Sequence, residues 1–210
     1  PALVFDALLT ANISWGDMAA SGLASAIVIG LLFLLCLCVP GIPLRNFSLP
    51  VLFMNAGFLG MPLIQLAFGK EALGYIVVFD QVQSLFMFTL GIWIAAPRAA
   101  GENLVMKSLK AFMSEPLIYS IVIALVLRAS KIHFPEFLLG PIRFLGSVTP
   151  ALALFTLGLR LSATPLKFFS DRAVVKQLGL ILVLRFAGGF GCGFIAVWAL
   201  GLQGLTRQVV

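Results

Sequence analysis

The sequence predicts an all-α integral membrane fold, and three observations carry that prediction. First, 61% of the 210 residues are hydrophobic and 10% are charged, against about 45–50% and about 25% in soluble domains. Second, the apolar residues come in runs close to the roughly 20 residues that a helix needs to cross a hydrocarbon core. Third, the connections hold helix breakers and charges: "PGIPLRN", "GKEA", "PRAAGEN", "RASKIHFPE" and "SATPLKFFSDRAVVK". These signals place a partial helix at 1–11 and spans near 18–39, 48–69, 72–96, 111–127, 137–161 and 177–202. The chain opens on Pro1 and stops at "GLTRQVV", which reads as the start of another segment. A fragment of a longer protein is therefore expected.

The formal charge of +6 does not point to nucleic acid, because Lys and Arg sit between apolar runs rather than in one patch. They read as topology determinants. Arg45, Arg98, Lys107, Lys110, Arg160, Lys167, Arg172 and Lys176 fall on one side, against Lys70, Arg128, Lys131 and Arg207 on the other. The richer side is taken as cytoplasmic, so the connection at 97–110 faces the cytosol. Arg143 and Arg185 lie within spans. Cys36, Cys38 and Cys192 sit in apolar runs and read as packed thiols, not as a disulfide or a metal site.

The segment "FMNAGFLGMPLIQLAFG", Phe53 to Gly69, is apolar enough for a bilayer yet weak as a helix. Pro62 removes a backbone donor and clashes with the preceding turn, and Asn55, Gly57 and Gly60 lower helix propensity further. In lipid, freed backbone groups are tolerated only where they face protein, water or a ligand. A discontinuous helix near the midplane thus suggests a binding site, whose half-helix N-terminus attracts an anionic group. The alternative is a proline kink that only shapes packing. A faint internal echo adds to the first reading: "PALVFDALL" at Pro1 resembles "PALALFTLG" at Pro150. An odd number of crossings separates the copies, as in an inverted-topology repeat of a secondary transporter.

The stretch Asn55-Ala-Gly-Phe-Leu-Gly60-Met-Pro62, followed by "FGKEALGYIVVFDQVQSLFMFTLG", resembles the auxin efflux carrier family. "GSVTPALALFTLGLRL" is similar to that family's seventh span and "KSLKAFMSEPLIYSIVIALVL" to its sixth. The resemblance covers nearly the whole chain and points to a bacterial member, of the malate or malonate permease type. It implies ten spans in two inverted five-helix repeats, as in sodium/proton antiporters and bile-acid symporters, with broken fourth and ninth helices crossing at the substrate site. Residues 1–96 would then be the end of the first repeat, from a partial helix two to helix five. Residues 97–110 would be the cytoplasmic connection, and 111–210 helices six to eight of the second repeat. Helices one, nine and ten would be missing.

Candidate site residues follow. By the resemblance, Asn55 hydrogen-bonds the substrate, since an amide offers donors to a carboxylate without placing a charge in the membrane; Gly57, Gly60 and Pro62 shape the break. Gln83 matches a Gln of the plant carriers' polar site. Asp17 matches an acidic residue there, although Ser21 stands where a basic companion is expected; an ordinary helix start is the other reading. Asp80, about 12 Å into its span at 1.5 Å per residue, is an intramembrane carboxylate and hence a candidate proton carrier; a structural cap is the alternative. Arg185 enters from the opposite side, where it either meets Asp80 near the midplane or snorkels to the cytosol. Gln81, Ser84 and Thr89 are polar without a specific role. Glu115-Pro116 reads as a helix start, Gly189 and Gly193 as a close-packing face, and His133 as a lone loop residue.

The expected activity is secondary active transport of small organic anions, such as dicarboxylates or auxin-like acids, by alternating access. The coupling would be to protons or to the membrane potential. A sodium-coupled symporter of the bile-acid type and a non-transporting membrane scaffold are the rivals. An enzyme is not expected, because the deep polar residues supply neither a Ser-His pair nor paired aspartates. No cofactor and no metal are expected. The expected partners are a lipid bilayer, expected to be the inner (plasma) membrane of a bacterium, and a small organic anion, with a homodimer left open.

Overall fold

The computed structural model describes residues 1–10, 13–40, 44–95, 106, 110, 113–131, 134–163 and 171–210. Within them the chain forms helices α1 (Ala2–Thr10) and α2 (Trp15–Leu37), then α3 (Leu44–Leu52). Phe53, Met54 and Asn55 are not helical. The path resumes in a wide π-helical turn, Ala56–Gly60, which runs into α4 (Met61–Phe68). A single 3-10 turn, Lys70–Ala72, leads to α5 (Leu73–Phe86), which continues through a second π turn, Met87–Gly91, into α6 (Ile92–Ala95). The remainder comprises α7 (Pro116–Ala129), α8 (Glu136–Ser162), α9 (Arg172–Val183), a third π turn (Leu184–Gly188), α10 (Gly189–Leu200) and α11 (Gly204–Val209).

Among the described residues four helical stretches are long and apolar enough to cross a membrane: Trp15–Leu37, Lys70–Ala95, Glu136–Ser162 and Arg172–Leu200. They correspond to four of the expected spans. The span expected at 111–127 appears as the 14-residue α7, and the one at 48–69 is interrupted at 53–55. The basic connection at 97–110, apart from Met106 and Lys110, lies outside the described residues, as do His133 and Lys167.

The ends of these helices follow from local chemistry. Ser14 opens α2: its Oγ accepts from the Asp17 N–H at 3.0 Å and donates to Asp17 Oδ2 at 2.7 Å, a reciprocal N-terminal cap. Pro116 takes the first position of α7, where a missing N–H is harmless. Gly69 ends α4 with φ +82°, a conformation that a β-carbon disfavours, and so turns the chain into α5.

Apolar side chains gather in two clusters. One joins α1, α5 and α7 and includes Val4, Leu8, Ile76, Val77, Phe79 and Ala124. The other joins α2, α3 and α10, through Leu32, Cys36, Phe47, Leu52, Cys192 and Ala196. The two clusters are bridged where α2 packs along α5. There Ser25 Oγ donates to the Phe79 carbonyl at 2.8 Å, and a β-carbon on Gly22 would lie 3.3 Å from Val82.

The remaining faces point outward and are strongly apolar. Phe155 on α8 is 66% exposed and Phe190 and Trp198 on α10 are 81% and 80% exposed. Water would penalise such a surface by about 25 cal/mol per Å²; a bilayer does not. The packing face of α10 differs from the one expected at Gly189 and Gly193. A β-carbon on Gly188 would come 2.6 Å from Leu35, whereas Gly189 has open space. Gly188, Cys192 and Ala196, spaced by four, are the residues turned to α2; Gly193 instead approaches the Val210 carbonyl.

Candidate functional site

The interruption after Leu52 falls at the boundary between the two clusters. Phe47, Val51 and Leu52 of α3 belong to the α2–α10 cluster, while Ala56 and Met61 belong to the α1–α5–α7 cluster. The two halves of this span are thus held by different neighbours. Pro62 has no N–H for the carbonyl four residues back, and its ring crowds that turn. The backbone widens in response: the Asn55 carbonyl accepts from both Leu59 and Gly60 N–H, each at 3.1 Å. Such π turns recur at functional sites.

Three side chains serve the broken ends. Arg185, in the π turn between α9 and α10, donates from Nη1 to the Val51 carbonyl at 2.7 Å. That carbonyl belongs to the C-terminal turn of α3, where the helix dipole favours a cation. On the other side, the Gly57 N–H donates to the Asp80 carboxylate, at the N-terminal turn of the second half, where the dipole favours an anion. Between them Gln83 Nε2 donates to the Met54 carbonyl at 2.5 Å. Asp80 also accepts from Gln81 Nε2 at 3.2 Å.

The turn runs directly beside the carboxylate: a β-carbon on Gly57 would stand 3.4 Å from Asp80 Oδ2, in ordinary van der Waals contact. Of the two readings of Arg185, meeting Asp80 or snorkelling to the cytosol, the first is not what the structure contains. Asp80 and Arg185 each sit on a different end of the interrupted helix, because each end offers the opposite partial charge.

A cavity of about 410 Å³ opens beside the break. Asn55, Gly57, Asp80 and Gln83 line it, and so do Gln81, Ser84, Glu115 and Thr149. Gly60 and Pro62 are not in its wall, and Pro62 is buried. Asp17 is elsewhere, in the first turn of α2, accepting from Ser14 Oγ at 2.7 Å and from Thr206 Oγ1 at 3.4 Å. A second groove, of about 450 Å³, shares Asn55 and Thr149 and continues along α8 past Thr156 to Arg160. Among the described residues no cluster of His, Cys, Asp or Glu suits a metal ion.

Sequence reasoning gave Glu115 only a structural role and gave Thr149 none. Glu115 was masked because an acid before Pro116 is explained by the helix start alone. Thr149 precedes Pro150 in the stretch that echoes Pro1, and Pro1 also lines the cavity, so the echo itself was the missed signal.

Membrane-length helices, with a cavity that several polar residues line at an interrupted span, fit a membrane transport protein by class. The family follows from sequence comparison: residues 1–210 match the family model described as membrane transport protein, and the chain belongs to that family, the auxin efflux carriers. It is 28% identical over 159 residues to a protein of Methanocaldococcus jannaschii described as an uncharacterized transporter. The match takes in 74% of this chain and 49% of that relative, so the chain spans about half its length. No solved structure matches the chain.

Proposed function

We propose that the chain carries the first half of the substrate site of a secondary transporter of small organic anions. The observation that supports this most is the break at Phe53–Asn55, whose polar ends open onto the cavity holding Asn55, Asp80 and Gln83. A carboxylate would be received by the Asn55 amide and by the half-helix N-terminus at Gly57. Gly60 and Pro62 act by keeping the turn open, and Gln83 by holding the Met54 carbonyl. Asp80 and Arg185 are coupling residues through the two helix ends they cap. Asp17 is a more distant coupling candidate through Thr206. Alternating access would move the broken span against its neighbours, with the crossover completed by a ninth helix in a second inverted repeat. The setting is the inner membrane of a bacterium, with the 97–110 connection in the cytosol.

The test uses the complete gene product in vesicles, with labelled malate, malonate and indole-3-acetate, for wild type and Asn55→Ala. Saturable uptake by wild type, reduced at least about tenfold in a folded Asn55→Ala, supports the reading. Unchanged uptake in the variant makes the break a packing feature.

A second reading, a sodium-coupled symporter, draws on the acidity of the cavity. Asp80 and Glu115 line it, and none of its described lining residues has a basic side chain. Uptake that needs a sodium gradient, and not a proton gradient or membrane potential, selects that reading.

A further inference from the structure

The position expected to receive a substrate carboxylate is already taken. The Gly57 N–H, at the opening turn of the 13-residue half-helix running through Phe68, donates to Asp80. Asp80 is only 8% exposed, on α5. One helical turn further on, on the same face, stands Gln83, which is 5% exposed. Its Nε2 is committed to Met54, while its buried Oε1 has no hydrogen-bond partner. A buried carbonyl oxygen without a donor is costly, and this one borders the cavity. The site therefore has one donor with an occupant and one acceptor without.

We infer that Asp80 and the substrate carboxylate compete for Gly57, and that anion binding is tied to uptake of a proton by Asp80, which then donates to Gln83 Oε1. This rests on the anion-transport reading above. The balance is simple: for the substrate carboxylate that takes Gly57 one proton arrives, the Asp80 carboxylate becomes a carboxylic acid, and the charge of that one substrate carboxylate is offset. Without that proton, two carboxylates would share one half-helix N-terminus beside Glu115, an arrangement that like charges oppose. No described lining residue offers a compensating basic side chain.

The groups facing Asp80 are consistent with the exchange. From α5 itself Gln81 donates to it; Glu115 and Pro1 share the cavity. From α8 comes the uncharged Thr149. On α1, Asp6 is paired with Arg143 at 3.2 Å, and on the far side of the break Arg185 is committed to Val51. From α2, the face against α5 brings Ser25, which is bonded to Phe79.

The experiment is binding of labelled malate, malonate and indole-3-acetate to the complete gene product in weakly buffered detergent solution. Bound anion and proton uptake are both recorded, from about pH 5 to about pH 8. Wild type should take up about one proton per anion bound, with affinity falling about tenfold per pH unit over the upper part of the range. Asp80→Asn, checked for folding by gel filtration and melting, should take up no proton, and its binding should be indifferent to pH. Anion binding by wild type without proton uptake overturns the exchange and leaves the transport reading in place. Proton uptake that persists in folded Asp80→Asn also overturns it and assigns the proton elsewhere. Failure of wild type to bind any acid at any pH overturns both. Should Asp80→Asn not fold, the wild-type proton count alone decides.

Discussion

Two spans of this chain are rich in helix-weakening residues, and they behave differently. In "FMNAGFLGMP" the helix stops for three residues. In "LRFAGGFGCG" it does not: the backbone relaxes into a π turn at Leu184–Gly188 and carries on as α10. Glycine content does not separate them. What does is a proline, and the presence of partners for the groups that the break frees. Around the first break stand Arg185 for a carbonyl, Asp80 for an N–H and Gln83 for a second carbonyl. The glycine-rich turn has no proline, keeps its own bonds, such as Gly189 N–H to the Arg185 carbonyl, and uses Gly188 to approach α2. Weak residues make a helix pliable; only satisfied ends allow it to open.

The largest expected effect comes from forcing the second span to break without partners. Gly189→Pro removes that bond to Arg185 and should destabilise the protein by about 3 kcal/mol or more, seen as a large drop in melting temperature or loss of folded protein. A variant with wild-type stability would show that partners are unnecessary. Next comes Arg185→Leu, which leaves the Val51 carbonyl without its donor. A loss of about 1–3 kcal/mol is expected, measured by denaturant unfolding in detergent. No loss would mean that the end of α3 needs no cation.

Much of this was legible beforehand. The spans, the weak segment and the importance of Asn55, Asp80 and Gln83 follow from hydropathy and from polar residues in apolar runs. What sequence could not give is pairing. The spacing of Asp80 and Arg185 left open whether the two meet or Arg185 snorkels, but each found a helix end, and that depends on which helices are neighbours. The choice of Gly188 over Gly189 as the contact glycine is a matter of one residue of rotation, about 100° on a helix, which a GxxxG pattern does not fix. Glu115 was hidden because its local role as a helix start already explained it.

A smaller effect on stability, with a clear one on activity, is expected at Gly57. Gly57→Ala adds a methyl 3.4 Å from Asp80 Oδ2. Removing the glycine favours helix by up to about 1 kcal/mol, so stability should hold or rise. Uptake should nonetheless fall several-fold, because the methyl would crowd the half-helix N-terminus where the substrate carboxylate is to bind. Undiminished uptake would separate the Gly57–Asp80 contact from transport.

The central claim is that the cavity at the break is where substrate binds from water. Ser84 lines it and has been given no part in binding, and Ser84→Cys changes one atom. In a background with Cys36, Cys38 and Cys192 replaced, this thiol should react with a small polar maleimide, and malonate or malate should slow the reaction. A thiol that never reacts, or that reacts at a rate no transported acid alters, would contradict the claim and leave the interrupted helix as a matter of packing.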